Sequence, residues 1–306
     1  MTASSATSNG TRPTTTADPS DASFSSAADG FALAGPSIRL DPRINAYRGD
    51  IADIILAGRI LAPHYARALI RACGSRPAYV RASPDADAEA RSELLPGEAF
   101  AVLEYAGGWA WGQCAGDRVV GYVEAIALAD PVQPTHVVCE KWAPVAPDPR
   151  VTAPVLAGLP MGARLNGHPD GACLATEYGC VPMSHLRGID DPEADPVTVA
   201  ERLIGIPWLD GGRGPEGIDA GGLVQLALGL TGIAAPRFVD LQRTLGKPVP
   251  GGASLRRGDL IVAGEKAGLM IDDLMLIHAS REAGKVTASP VASFDGPDTV
   301  RRRLDL

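Results

Sequence analysis

The clearest pattern in the chain is the recurrence of Ala220, Leu223, Val224, Ala227 and Leu230 at helical spacing. That spacing gathers the apolar positions into one buried stripe. Asp219 precedes the stripe as an N-cap, and a glycine-rich run from Gly211 to Gly217 leads into it. Asp195-Pro196 supplies an N-cap and a first helical residue for an earlier helix through Leu203. Thr231-Gly232 closes the central helix, and a third is predicted over Phe238–Leu245, ended by Gly246. Beyond it the apolar positions fall in short runs: Leu255–Val262, Ala267–Ile271 and Leu274–His278. Helices first and an antiparallel meander afterwards predict an α+β domain over residues 195–306.

Upstream the pattern differs. Tyr79–Arg81, Ala99–Glu104, Trp109–Gln113 and Val119–Val123 are short alternating runs separated by Gly, Pro and Asp turns. Several such strands within about 50 residues predict a small barrel, placed at residues 76–130. Residues 135–187 repeat the pattern loosely, with Leu159–Leu165 resembling the turn and strand at 95–103. A linker follows at 188–194. Residues 37–75 read as an N-terminal helical segment, because Asp50–Ala57 looks like a short amphipathic helix, and Ala66–Arg71 extends into the next unit. Residues 1–36 are Ser, Thr, Ala, Asp and Gly with few large apolar side chains, and are predicted to be disordered.

Composition narrows the function classes. Gly and Pro number 35 and 26 in 306 residues, which favours short strands and turns over long helices. A formal charge of −8 argues against nucleic acid as the main partner, since phosphate binding needs a basic field. Arg301-Arg302-Arg303 reads as a solvated end. The five cysteines are odd in number, irregularly spaced and without a CxxC pair, so neither a disulfide framework nor a metal site is expected, and they read as small buried hydrophobes. No basic and apolar leader opens the sequence, and no apolar run is long enough to span a membrane. The expected location is the cytoplasm, with the envelope reachable by a non-standard route.

Gly211-Gly212, Gly217-Ile218-Asp219, Gly222-Leu223-Val224-Gln225, Leu255–Leu260 and Gly268–Asp272 occur in an order that resembles the NlpC/P60 family, papain-like cysteine peptidases of peptidoglycan stem peptides. Leu95-Pro96-Gly97-Glu98, Gly108–Trp111 and Gly121-Tyr122-Val123 resemble a bacterial SH3 (SH3b) domain, and residues 135–187 look like a weaker second copy. The resemblance implies a papain-like NlpC/P60 domain preceded by two small all-β SH3b-like barrels. It implies cleavage between γ-glutamyl and diamino-acid residues, without a cofactor.

Such cleavage needs a thiolate, a histidine to move the proton and a polar group to orient that histidine. In the family the cysteine follows the Asp of the Gly-x-Asp turn. That position here is Ala220, followed by Gly221 where serine is usual. The histidine position is Lys266, and His278 fits the third group. Trp208 and Asp210 stand where Tyr and Trp are usual. A methyl group cannot attack a carbonyl, and a charged ammonium accepts no proton. The expectation is therefore a pseudoenzyme that binds stem peptides or docks on an active homologous peptidase. Trp208, Asp210, Asp219 and Gly221 are its candidate cleft residues, with an ion-pair cluster of Asp210, Asp219 and Lys266 as one possible arrangement. The rivals are an active endopeptidase using other residues, including water activated by Asp210 or Asp219, and a purely structural subunit. Trp109, Trp111 and Tyr122 either form an SH3b ligand groove or pack the barrel.

Overall fold

Residues 40–131, 133–148 and 154–304 are described here by a computed structural model. The segment predicted to be disordered, 1–36, lies outside the described residues.

Of the region expected to be helical, 37–75, the described residues 40–75 carry strands and turns instead. Ile51–Asp53 pairs in parallel with His64–Ala66, a single 3-10 turn covers Ile54–Leu56, and Leu69–Cys73 is a strand of the neighbouring sheet. The apolar run Ile51–Leu56 is short enough to fit either period, and length rather than spacing decides such cases. Ile51, Ala52 and Leu56 are buried while Ile54 and Ile55 stay exposed, so no helical face is formed.

Seven strands form the first sheet, in the order Ala90–Leu94, Ala78–Arg81, Val120–Glu124, Trp109–Cys114, Ala99–Ala106, Leu69–Cys73 and Leu128–Ala129. Their inward residues, among them Val80, Leu94, Phe100, Val102, Ala110 and Val123, make one core. This is the small all-β unit that the alternating runs predict, with Leu69–Cys73 added. The described residues of 136–188 form a second all-β unit of short strands around Val138, Val145, Leu159, Leu165, Leu174 and Val181.

The C-terminal unit is the expected α+β arrangement. α1 spans Pro196–Arg202 and α2 spans Ala220–Leu230. Every α2 residue except Gly229 is buried, as a helix apolar on nearly all sides must be. α3 covers only Val239–Gln242, shorter than the span predicted. The Thr244 hydroxyl bonds the Leu241 carbonyl at 3.0 Å, a local bond that competes with continuing the helix. Six antiparallel strands follow, ordered Lys247–Pro248, Val300–Arg303, Leu260–Ala263, Lys266–Met270, Met275–Ser280 and Lys285–Pro290. Leu260, Val262, Leu269 and Ile277 on one face pack against Val199, Leu223, Val224 and Ala227 of the helices. The other face carries Ile261, Met270 and Leu276 with Phe294.

The first β unit is bolted to this domain through charge. Arg213, 8% exposed, forms a two-pronged pair with Glu98 at 2.9 and 3.0 Å and donates to the Glu93 carbonyl at 3.0 Å. Its own backbone N–H donates to the Glu93 carboxylate at 2.6 Å. Gln225 on α2 reaches Asp117 at 2.9 Å. Among the described residues, no helix is long and apolar enough to cross a membrane.

Candidate functional site

A cleft of about 1250 Å³ opens at the start of α2. Trp208, Asp210, Asp219, Ala220, Gly221, Lys266 and His278 all line it, so the residues singled out from the C-terminal sequence are brought to one place. The first β unit contributes Glu89, Ala90 and Arg91 to the wall, and Arg43 adds to it from further upstream. None of the lining residues comes from 135–187.

The start of α2 is heavily braced. Asp219 caps the helix through a 2.8 Å bond from the Gly222 N–H and takes the Gly211 N–H at 2.9 Å. Arg237 grips the same carboxylate with both terminal nitrogens at 2.7 Å. Its remaining N–H reaches Ser92 of the first β unit at 3.2 Å. Four donors therefore converge on Asp219, which leaves it in no position to activate water. The glycines are equally constrained. Gly211 has φ +76°, and a Cβ there would come within 2.4 Å of the Ala90 carbonyl oxygen. At Gly221 a Cβ would meet the Arg237 carbonyl oxygen at 2.3 Å, so the serine usual at this position has no room.

The expected cluster of Asp210, Asp219 and Lys266 is not formed. Asp219 belongs to Arg237. Asp210 pairs with Arg281 at the surface, and Arg281 lies over the Trp208 ring, 5.2 Å from its centroid. Lys266 is exposed, with its ammonium 5.8 Å from the Phe294 ring centroid.

His278 is 6% exposed and packs edge-on against Phe294 at 5.0 Å. Its Nε2 lies 2.9 Å from the Ser289 hydroxyl, whereas buried Nδ1 has no partner among the described residues. Burial, and then the nearby Lys266 charge, push the imidazole below its ordinary pKa. Ala220, 2% exposed, presents a methyl group where the chemistry would need sulfur. The arrangement can bind, but it holds no thiol: all five cysteines are buried elsewhere and none is in a disulfide.

The other candidate groove is occupied by the chain itself. Trp111 is buried under the Arg48 guanidinium, 4.6 Å from the ring centroid, and shares a core with Ala46, Ile51 and Val120. Arg48 also donates to the Tyr122 hydroxyl at 3.3 Å. Trp109 is half-buried at the end of the same strand. The packing alternative therefore holds for Trp111 and Tyr122, because residues 46–51 cover the face they would offer. Arg237, Arg91, Arg281 and Ser289 were missed in the sequence. Arg237 and Arg281 lie in loops, Arg91 and Ser289 in strands whose polar positions carry no motif, and Arg237 is joined to Asp219 across 18 positions.

Residues 205–297 match the NlpC/P60 family, and residues 80–128 match the bacterial dipeptidyl-peptidase SH3 domain. The chain thus carries an NlpC/P60-type domain and a bacterial SH3-type domain. It is 40% identical over 87 residues to the peptidoglycan endopeptidase RipB of Mycobacterium tuberculosis, in both strain CDC 1551 and strain H37Rv. That match covers 27% of this chain and 36% of RipB, so the chain spans about a third of its curated relatives. The crystal structure of an NlpC/P60 family protein from Bacillus cereus is similar in fold, with a TM-score of 0.64 at 17% identity, covering 77% of this chain and 99% of that one. The NlpC/P60 domain thus supplies most of the cleft, and the SH3 domain supplies the wall at Glu89–Arg91.

Proposed function

We propose that this protein is a catalytically inactive NlpC/P60 member that binds peptidoglycan stem peptides in the Ala220–Lys266 cleft. The observation that carries this reading is the replacement of both reacting positions in a cleft that keeps the braced Asp219 turn, although Trp208, Asp210 and Gly221 also depart from the usual residues. Covalent amide cleavage requires an attacking group with a base beside it. Ala220 offers none, and Lys266 is a cation rather than a base. A cleft of about 1250 Å³ with apolar and charged walls still suits a short peptide. Residues 135–187 we read as a second, diverged SH3b-like module that acts as a spacer. Docking on an active relative is the regulatory form of the same reading.

Incubation of the full chain with muropeptides tests the proposal. Retention of intact stem peptides without release of fragments is expected. Turnover that disappears on changing cleft residues would overturn it. The double change Ala220→Cys with Lys266→His extends the test, with recovery of slow, thiol-dependent cleavage as the expected result.

A second reading is hydrolysis by other residues, and one contact favours it: the His278–Ser289 pair at 2.9 Å, with an imidazole kept neutral by its surroundings. Against it, His278 Nδ1 has no group among the described residues to orient the ring. Turnover abolished by Ser289→Ala would decide for this reading.

A further inference from the structure

Cys173 and Cys180 lie on adjacent antiparallel strands of the second all-β unit, Cys173–Thr176 and Gly179–Pro182. The register sets Cys173 opposite Pro182 and Cys180 opposite Ala175, so the two cysteines are diagonal neighbours. Side chains alternate between the faces of a strand, which puts this diagonal pair on one face. Leu174 and Val181, paired directly between them, belong to the core on the other face. The two sulfurs lie 2.6 Å apart. A sulfur–sulfur bond is about 2.0 Å long, so closing it requires a movement of less than about 1 Å.

The backbone already holds both residues in place. Cys180 exchanges two hydrogen bonds with Ala146, at 2.8 and 2.9 Å. Cys173 is paired with Asp170 on one side and with Pro182 on the other. Both cysteines are buried, yet Asp170, Gly171 and Ala172, just before Cys173, are exposed. Among the described residues the Cys173 thiol bonds no group but Cys180. Burial, and then Cys180, push it up to about 11. Cys73 differs: its thiol donates to the Arg76 and Leu94 carbonyls at 3.1 and 3.2 Å. No other two cysteine sulfurs touch among the described residues.

We infer that Cys173 and Cys180 are a site of covalent modification, joined as an intrachain disulfide when the chain meets a small-molecule or protein disulfide. One cysteine, as thiolate, attacks a sulfur of that oxidant, breaks its S–S bond and releases one thiolate. The other cysteine attacks the mixed disulfide at the protein sulfur and releases the second. The two cysteine protons pass to the two released thiolates. The protein loses two electrons and the oxidant gains them. The product staples the hairpin that ends the second unit. Neither cysteine lines the cleft, so the bond and the stem-peptide reading are independent.

Incubation of the full chain with oxidised glutathione tests the site. The reaction is quenched in acid, which removes the attacking thiolate. The chain is then unfolded, alkylated and cut after Glu177, which lies between the two cysteines. In most chains the two peptides are expected to stay joined until a reductant is added, with Cys73, Cys114 and Cys139 alkylated. Cys180→Ala is expected to lose the joined peptides and to leave Cys173 alkylated or carrying glutathione. Alkylation of all five cysteines in the wild type would overturn the inference. So would glutathione retained on Cys173 or Cys180 without closure, or a bond from either to one of the other three cysteines.

Discussion

Asp219 receives four hydrogen bonds, while Ala220, the next residue, presents only a methyl group to the same cleft. The two neighbours belong to different parts of the design. Asp219, Arg237, Gly211 and Gly221 join a loop, a helix start and the SH3 domain, and each has contacts that any substitute must reproduce or break. Ala220 and Lys266 occupy positions whose demands come from a reaction. On the reading proposed above, position 220 needs only something small, and position 266 only something that tolerates solvent. Bracing and chemistry are thus separable here at a distance of one residue.

The sharpest way to break this contrast is Arg237→Ala. Arg237 is 3% exposed, and its removal strands the Asp219 carboxylate, cuts the bond to Ser92 and loosens the Gly212 loop. Taking one partner from a buried pair costs about 3–5 kcal/mol. Denaturant unfolding of the full chain is expected to show a loss of that size. A change below about 1 kcal/mol would mean that the pair behaves as a surface ion pair and that the bracing is elsewhere.

Much of this bracing was invisible in the chain, for a physical reason. Asp219 was legible as an N-cap, since a cap announces itself through the local helix pattern. Its second role depends on Arg237, which follows Pro236 in a loop with no period to place it. The SH3 strands were legible because alternating runs and glycine turns are local signals, and α2 because its stripe is long. The segment at 50–57 was misread because six apolar or small residues fit two periods equally well. Groove and packing stayed open for Trp111 and Tyr122 for a related reason: what covers Trp111 is Arg48, held by Glu104 and the Tyr122 hydroxyl across 56 and 74 positions, which no local pattern records.

His278 sits between the two classes, buried like the bracing yet facing the cleft, and pH separates its contributions. Burial and Lys266 lower its pKa in the folded chain, while the unfolded imidazole titrates near its ordinary value of about 6.5. Below that pH the unfolded state takes up a proton that the folded state refuses. Stability from this group is therefore full above about pH 6.5 and falls as the solution is acidified, levelling off only below the folded pKa. Melting temperatures of the wild type and His278→Gln, measured between neutral and mildly acidic pH, are expected to converge as pH falls. Parallel curves would show that His278 titrates freely and takes no part in the fold.

The smallest effect is expected at Lys266. Lys266 begins its strand in an exposed position, makes no ion pair among the described residues, and lies 5.8 Å from the Phe294 ring centroid. A cation over an aromatic face at an exposed site is worth about 0.5–1 kcal/mol, and the distance is near the outer limit of such contacts. Two terms therefore oppose each other in Lys266→Gln. The ring contact is lost, and the charge that disfavours protonation of His278 is removed as well. Thermal unfolding near neutral pH is expected to differ from wild type by no more than about 0.5 kcal/mol, with a variant slightly less sensitive to acid. A loss of several kcal/mol would place Lys266 with Asp219 and Arg237 as bracing, and the division between the two neighbouring positions would no longer hold.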